Sequence, residues 1–183
     1  MSNRYAEVII LAEDERSANL LRRYVQRVLK LDTRRIRQRI SPSARGDAKQ
    51  WVLREYPIEV AELRRGLRHT ALVVHLDADV DSVMFRDKQL GDALTNDAQR
   101  NRTATERICH AIPKRHTETW LCSLTGIDVD EERDCKRERL PPNPDQVVPR
   151  AANELFNLTR KNAPLAKLPS LAVAVPELQR LES

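Results

Sequence analysis

The hydrophobic positions of this chain fall into short unbroken runs separated by longer stretches with a helical period. Ala6-Glu7-Val8-Ile9-Ile10-Leu11-Ala12 is β-branched and mostly apolar, the pattern of a strand covered on both faces, and it stops at Glu13-Asp14-Glu15. From Glu15 onward Ala18, Leu20, Leu21, Tyr24, Val25, Val28 and Leu29 recur at spacings of three and four, which predicts an amphipathic helix to about Lys30. Arg34 to Ile40 reads as a second strand whose arginines give it an edge position or one wet face. The breakers in Ser41-Pro42-Ser43-Ala44-Arg45-Gly46 make a loop, after which Asp47 caps a helix carrying Trp51, Val52 and Leu53. Pro57 interrupts that helix or starts another, which runs from Ile58 to Leu67.

A third apolar run, Leu72-Val73-Val74-His75-Leu76, ends abruptly in Asp77, Asp79 and Asp81. A helix over Val83–Ala98 follows, weakened by Gly91; then a fourth strand, Arg107–Ile112, closes at Pro113. Thr117–Leu124 is a short helix with Gly126 placed to stop it. Beyond it lie a mixed-charge stretch (Asp128–Arg139) and a rigid loop, Pro141-Pro142-Asn143-Pro144. Two terminal helices, Ala151–Leu158 and Ser170–Leu181, complete the pattern, the second with Pro176 as a kink. Alternating apolar strands and helices predict a three-layer α/β fold around a central, mostly parallel sheet of about four strands. Residues 1–125 form the core, and residues 126–183 a helical and irregular extension packed on it.

Composition narrows the class. At 183 residues the chain suits one domain with a real core, and 32% charged against 4% aromatic residues describes a globular protein with a highly charged surface. No apolar segment is long enough to span a bilayer and the N-terminus does not read as a signal peptide, so a cytoplasmic location without membrane contact is expected. Cys109, Cys122 and Cys135 are odd in number and make no C-x-x-C pair, which argues for buried thiols over a disulfide framework or zinc site. The excess positive charge lies in the first 68 residues. Arg34, Arg35, Arg37 and Arg39 are dense enough to track a phosphate backbone, with Lys114 and Arg115 as further phosphate contacts, but no aromatic residue is interleaved for base stacking.

The acids change the picture most. Glu13 ends the first strand; Asp77 and Asp79 end the third, at alternate positions that share a side in extended chain. In a parallel sheet these ends converge at the carboxyl edge, where ligands bind. Clustered carboxylates raise one another's pKa or hold a divalent ion, here Mg2+ or Mn2+. Asp81 extends the series as an accessory acid. His75 reads as a core residue, His116 as a surface-loop histidine, and Trp51 and Trp120 as core anchors.

An apolar strand ending in Glu and a later one ending in Asp-x-Asp resemble the Toprim domain of topoisomerases, primases and overcoming-lysogenization-defect nucleases. The chain is more similar still to small stand-alone Toprim-like proteins of bacteria, often encoded beside an ATPase and associated with phage defence. The likeness rests on Leu11-Ala12-Glu13-Asp14-Glu15-Arg16-Ser17-Ala18, Leu76-Asp77-Ala78-Asp79, Ile112-Pro113 leading to Thr117-Glu118-Thr119-Trp120-Leu121, and loosely Leu168-Pro169-Ser170. It implies a Toprim/Rossmann-like architecture and a Mg2+-dependent nuclease acting on nucleic acid with an ATPase partner. Glu13 would be a metal ligand or general acid/base, Asp77 and Asp79 metal ligands, and Glu118 a further acid completing the site. Asp14 stands where the usual Toprim Gly follows the Glu, and Arg16 where an acid is usual, which sets the chain apart from topoisomerases and primases. Two other readings stand beside the nuclease: a catalytically silent Toprim-like scaffold or sensor, and a receiver-like phospho-acceptor domain, which fits the acid spacing poorly. Oligomeric state is left open.

Overall fold

A computed structural model describes residues 7–42, 47–66, 69–132, 143, 146–161 and 168–182. Ala6, the loop at 43–46, Leu67, Cys135 and Pro141-Pro142 with Pro144 lie outside the described residues, as does most of the mixed-charge stretch. Four strands, β1 (Val8–Ala12), β2 (Ile36–Ile40), β3 (Ala71–His75) and β4 (Ile108–Ala111), form one sheet in the order β2-β1-β3-β4, every pairing parallel. Val8 stands opposite Ile36 on one side and Ala71 on the other, and Leu72 opposite Ile108. β1, β3 and β4 are buried throughout, while β2 is an edge strand with Arg37 exposed, as its arginines predict.

Side chains alternate between two cores, as the period of two in a strand requires. Val8, Ile10, Ala12 and Val73 face a layer of α1 (Glu15–Leu29), α4 (Thr117–Leu124), α5 (Val148–Lys161) and α6 (Pro169–Gln179). Ile9, Leu11, Leu72 and Val74 face α2 (Ala48–Arg65) and α3 (Val83–Asn96). The result is a three-layer, Rossmann-like arrangement. α5 and α6 belong to the first core through Ala151, Leu155, Leu171 and Leu178, and Trp120 Nε1 donates to Ser170 Oγ at 2.8 Å. α6 also screens the β4 edge, where Glu177 accepts the His110 N–H at 3.2 Å.

α2 runs unbroken through Pro57, where the proline pattern predicted an interruption. An interior proline costs about 3 kcal/mol, but fully burying a large apolar side chain contributes about 1.5–3 kcal/mol. Trp51 and Tyr56 before or at the break and Val60 after it are all held in the second core, so packing outweighs the lost hydrogen bond. α3 likewise continues through Gly91, and α6 through Pro176. Cys109 and Cys122 are buried in the core. Among the described residues no helix is long and apolar enough to cross a membrane.

Candidate metal centre

In the order β2-β1-β3-β4 the chain leaves β1 towards β2 and leaves β3 towards β4, so the crevice between the carboxyl ends of β1 and β3 is the topological switch point. Glu13 follows β1 directly, and Asp77 follows β3. Between them they close the crevice: the Asp77 N–H donates to Glu13 Oε1 at 2.7 Å. Burial pushes the Glu13 carboxyl above its ordinary value, and the neighbouring Asp77 carboxylate adds to the rise, against the opposing influence of His75, Lys49 and the Asp77 N–H.

Asp79 reaches the same place by a turn. β3 ends at His75, so the extended-chain rule of alternate sides does not carry as far as Asp79. Asp79 adopts a left-handed backbone conformation (φ 55°), tolerated by Asp more readily than by most residues, and the Asp81 N–H closes the turn on Ala78 O at 3.0 Å. The loops after β3 and β4 then continue the ladder: Ala78 N donates to Pro113 O at 2.9 Å and Asp79 N to Arg115 O at 3.2 Å. This zipper delivers His116, the residue at the head of α4, to the acids. Its Nδ1 lies 3.3 Å from Asp79 Oδ1 and 3.7 Å from Asp77 Oδ2. Asp77, Asp79 and His116 offer ligand atoms that all fall within 4.8 Å of one another.

The donor set and its surroundings fit a divalent cation. Two carboxylates and an imidazole are ordinary ligands for first-row divalent ions. Asp77 Oδ1 is buried and accepts no hydrogen bond, a state that a bound cation would relieve. Lys49, in the first turn of α2, already directs a cation at the centre by pairing its ammonium with Asp79 Oδ2.

The other expected residues have different neighbours. Asp81 swings away from the cluster and pairs with Arg86 Nη2 at 2.5 Å, because the chain turns at Asp79. Glu118 is buried in the first turn of α4 and pairs with Arg16 Nη1 at 2.6 Å, so an arginine of α1 holds the acid expected to complete the site. Lys114 Nζ lies 3.4 Å from the Asp81 carbonyl, and Arg115 ties its loop to the carbonyls of Glu131 and Glu132. Arg34 and Arg35 sit before β2, at the amino edge of the sheet and thus opposite the acids; Arg35 pairs with Glu7 at 2.5 Å. Arg37 is exposed on the edge strand, while Arg39 pairs with Glu55 and Glu59 and lies over the Trp51 ring. The structure therefore brings Asp77 and Asp79 together with His116, sets Glu13 beside them through the Asp77 N–H, and pairs Arg35 and Arg39 with other acids.

One member of the site, Lys49, was not singled out from sequence, and another, His116, was read as a surface-loop histidine; it lies instead half-buried beside the acids, because the paired loops carry it there. Lys49 carried a usable signal: in a parallel sheet the first turn of each helix following a strand lies at the carboxyl edge. Asp14 caps α1 by accepting the Ser17 N–H at 2.9 Å. Burial raises its carboxyl, but the facing His75 and the Ser17 hydrogen bonds outweigh that and hold it below the ordinary value. Compared with protein-family models, curated proteins and solved structures, the chain gives no match.

Proposed function

We propose that the chain is a divalent-metal-dependent phosphodiester-cleaving enzyme of Toprim type, acting on nucleic acid. The observation that carries this reading is the convergence of Asp77, Asp79 and His116 beside Glu13 at the switch point of a parallel sheet. Asp77, Asp79 and His116 would hold the ion, which when bound supplies Lewis-acid stabilisation of a reacting phosphate and a more acidic water. Glu13, with its carboxyl raised above its ordinary value by burial, is suited to taking a proton from an attacking water at the crevice. Lys49, released from Asp79 when a metal takes that carboxylate, is placed to hold a phosphate oxygen. The imidazole in the donor set favours Mn2+ over Mg2+, the latter preferring oxygen ligands alone.

The silent-scaffold reading has one observation on its side: Asp79, Asp81 and Glu118 are each matched by a basic side chain, Lys49, Arg86 and Arg16. Incubating the protein with labelled single- and double-stranded DNA and RNA, with Mn2+, with Mg2+ or with EDTA, separates the two. The enzymatic reading expects metal-dependent cleavage that disappears in Asp77→Asn and Asp79→Asn; equal cleavage by wild type and both variants contradicts it. Metal binding without cleavage of any of these substrates favours the scaffold.

A further inference from the structure

A buried file of polar side chains runs beneath the acids from α1 to β3. Ser17 Oγ donates to Asp14 Oδ2 at 2.8 Å, Ser17 Oγ and Thr117 Oγ1 are 2.7 Å apart, and Thr117 Oγ1 and His75 Nε2 are 2.7 Å apart. Ser17, Thr117 and His75 are almost wholly buried. Counting protons sets the direction of the file. An ionised carboxylate only accepts, and a hydroxyl has one proton to give. Ser17 gives its proton to Asp14, so it accepts from Thr117; Thr117, having given its own, accepts from His75. His75 therefore carries a proton on Nε2. That same nitrogen lies 3.4 Å from Asp77 Oδ1, the buried oxygen that accepts no hydrogen bond.

We propose that Asp14, Ser17 and Thr117 form a positioning relay that holds the His75 Nε2–H on Thr117 and off Asp77, keeping Asp77 Oδ1 open for a cation. The inference rests on the reading of Asp77 as a metal ligand. It assigns a role to Asp14, the residue that departs from the usual Toprim Gly, since Asp14 is the acceptor from which the direction of every later bond follows. Without the Thr117 hydroxyl, the Nε2–H has Asp77 Oδ1 as its nearest remaining acceptor and competes with the metal for it. Disturbing hydrogen bonds around a ligating group typically weakens metal binding about 10–100-fold.

Two measurements on the full chain test the relay. Long-range 15N–1H correlations without metal are expected to show the His75 proton on Nε2; a neutral ring protonated at Nδ1 overturns the relay alone and leaves the metal reading standing. Mn2+ titration followed by electron paramagnetic resonance is expected to show about tenfold weaker binding in Thr117→Val, wild-type binding in Thr117→Ser, and recovered affinity in Thr117→Val/His75→Phe, where the competing N–H is gone. Thr117→Ala replaces the valine variant if thermal unfolding shows that valine is not accommodated. Unchanged affinity in the hydroxyl-free variant, or a loss that His75→Phe does not recover, overturns the proposal. Absence of Mn2+ binding by the wild type overturns the relay and the metal reading together.

Discussion

Replacing Lys49 by Met removes the ammonium that pairs with Asp79 while keeping a linear stem of similar length. The Lys49 side chain is 16% exposed and that of Asp79 40%, so the pair is partly screened and sits at the upper end of surface ion pairs, about 1 kcal/mol. A metal entering the centre displaces that ammonium from Asp79. Lys49→Met is therefore expected to tighten Mn2+ binding by about fivefold, the equivalent of ~1 kcal/mol. The same substitution leaves Glu13, Asp77 and Asp79 unscreened in the metal-free protein. For a chain of this size ~1 kcal/mol lowers Tm by about 2–4 °C. Calorimetric Mn2+ titration and thermal scans with and without the ion measure both effects: the variant should melt lower in EDTA and gain more from Mn2+ than the wild type. Unchanged or weaker Mn2+ affinity in a variant that still unfolds cooperatively would refute the competition between Lys49 and the metal.

Three further outcomes are expected. His116→Ala should weaken Mn2+ binding more than Mg2+ binding, because it removes the nitrogen ligand and leaves a carboxylate pair; competition titrations check the ratio, and equal losses contradict the assignment. Gly91→Ala should raise Tm by about 1–2 °C: alanine gains close to 1 kcal/mol in a helix interior, and the new Cβ meets only the exposed Asn101 side chain at 3.3 Å, which can turn aside at part of that gain. Burial raises the Glu131 carboxyl more than its hydrogen bonds from Ser170 lower it, so its contribution to stability is full below its ordinary value of 4.5 and is lost as pH rises through the folded value. Gln keeps the acceptor and cannot ionise; Glu131→Gln should therefore gain Tm relative to wild type as pH rises above 4.5, and a trend in the other sense contradicts the burial argument.

The sheet was legible because a parallel strand covered on both faces is a near-continuous apolar run, and Val8–Ala12 and the Ala71–His75 strand, apolar up to its terminal histidine, say so in single short runs. The Arg-rich Ile36–Ile40 was legible as an edge for the converse reason. Pro57 misleads because local backbone preference is weighed there against Tyr56 and Val60, whose burial depends on the whole sheet. In the site, Asp77 follows the strand closely enough for its position to be read from the run before it. Asp79 joins it by way of a turn, and the same turn carries Asp81 to Arg86, so equal spacing along the chain hides two different fates. His116 was hidden for another reason: its place depends on hydrogen bonds between two loops more than thirty residues apart in the chain, a pairing that no local pattern encodes. Glu118 carries the expected motif, yet the Arg16 side chain from α1 fixes its carboxylate, a contact between residues 102 positions apart.

The central claim is that Asp77, Asp79 and His116 form a divalent-metal site at the mouth of the β1–β3 crevice. Crystals soaked in Mn2+ and measured for anomalous scattering test it most directly. The account predicts an anomalous peak bonded to a carboxylate oxygen of each aspartate and to His116 Nδ1, with Lys49 withdrawn from Asp79, and no such peak in Asp77→Asn crystals. A well-ordered site with Lys49 still on Asp79 and no peak there at saturating Mn2+ would contradict it.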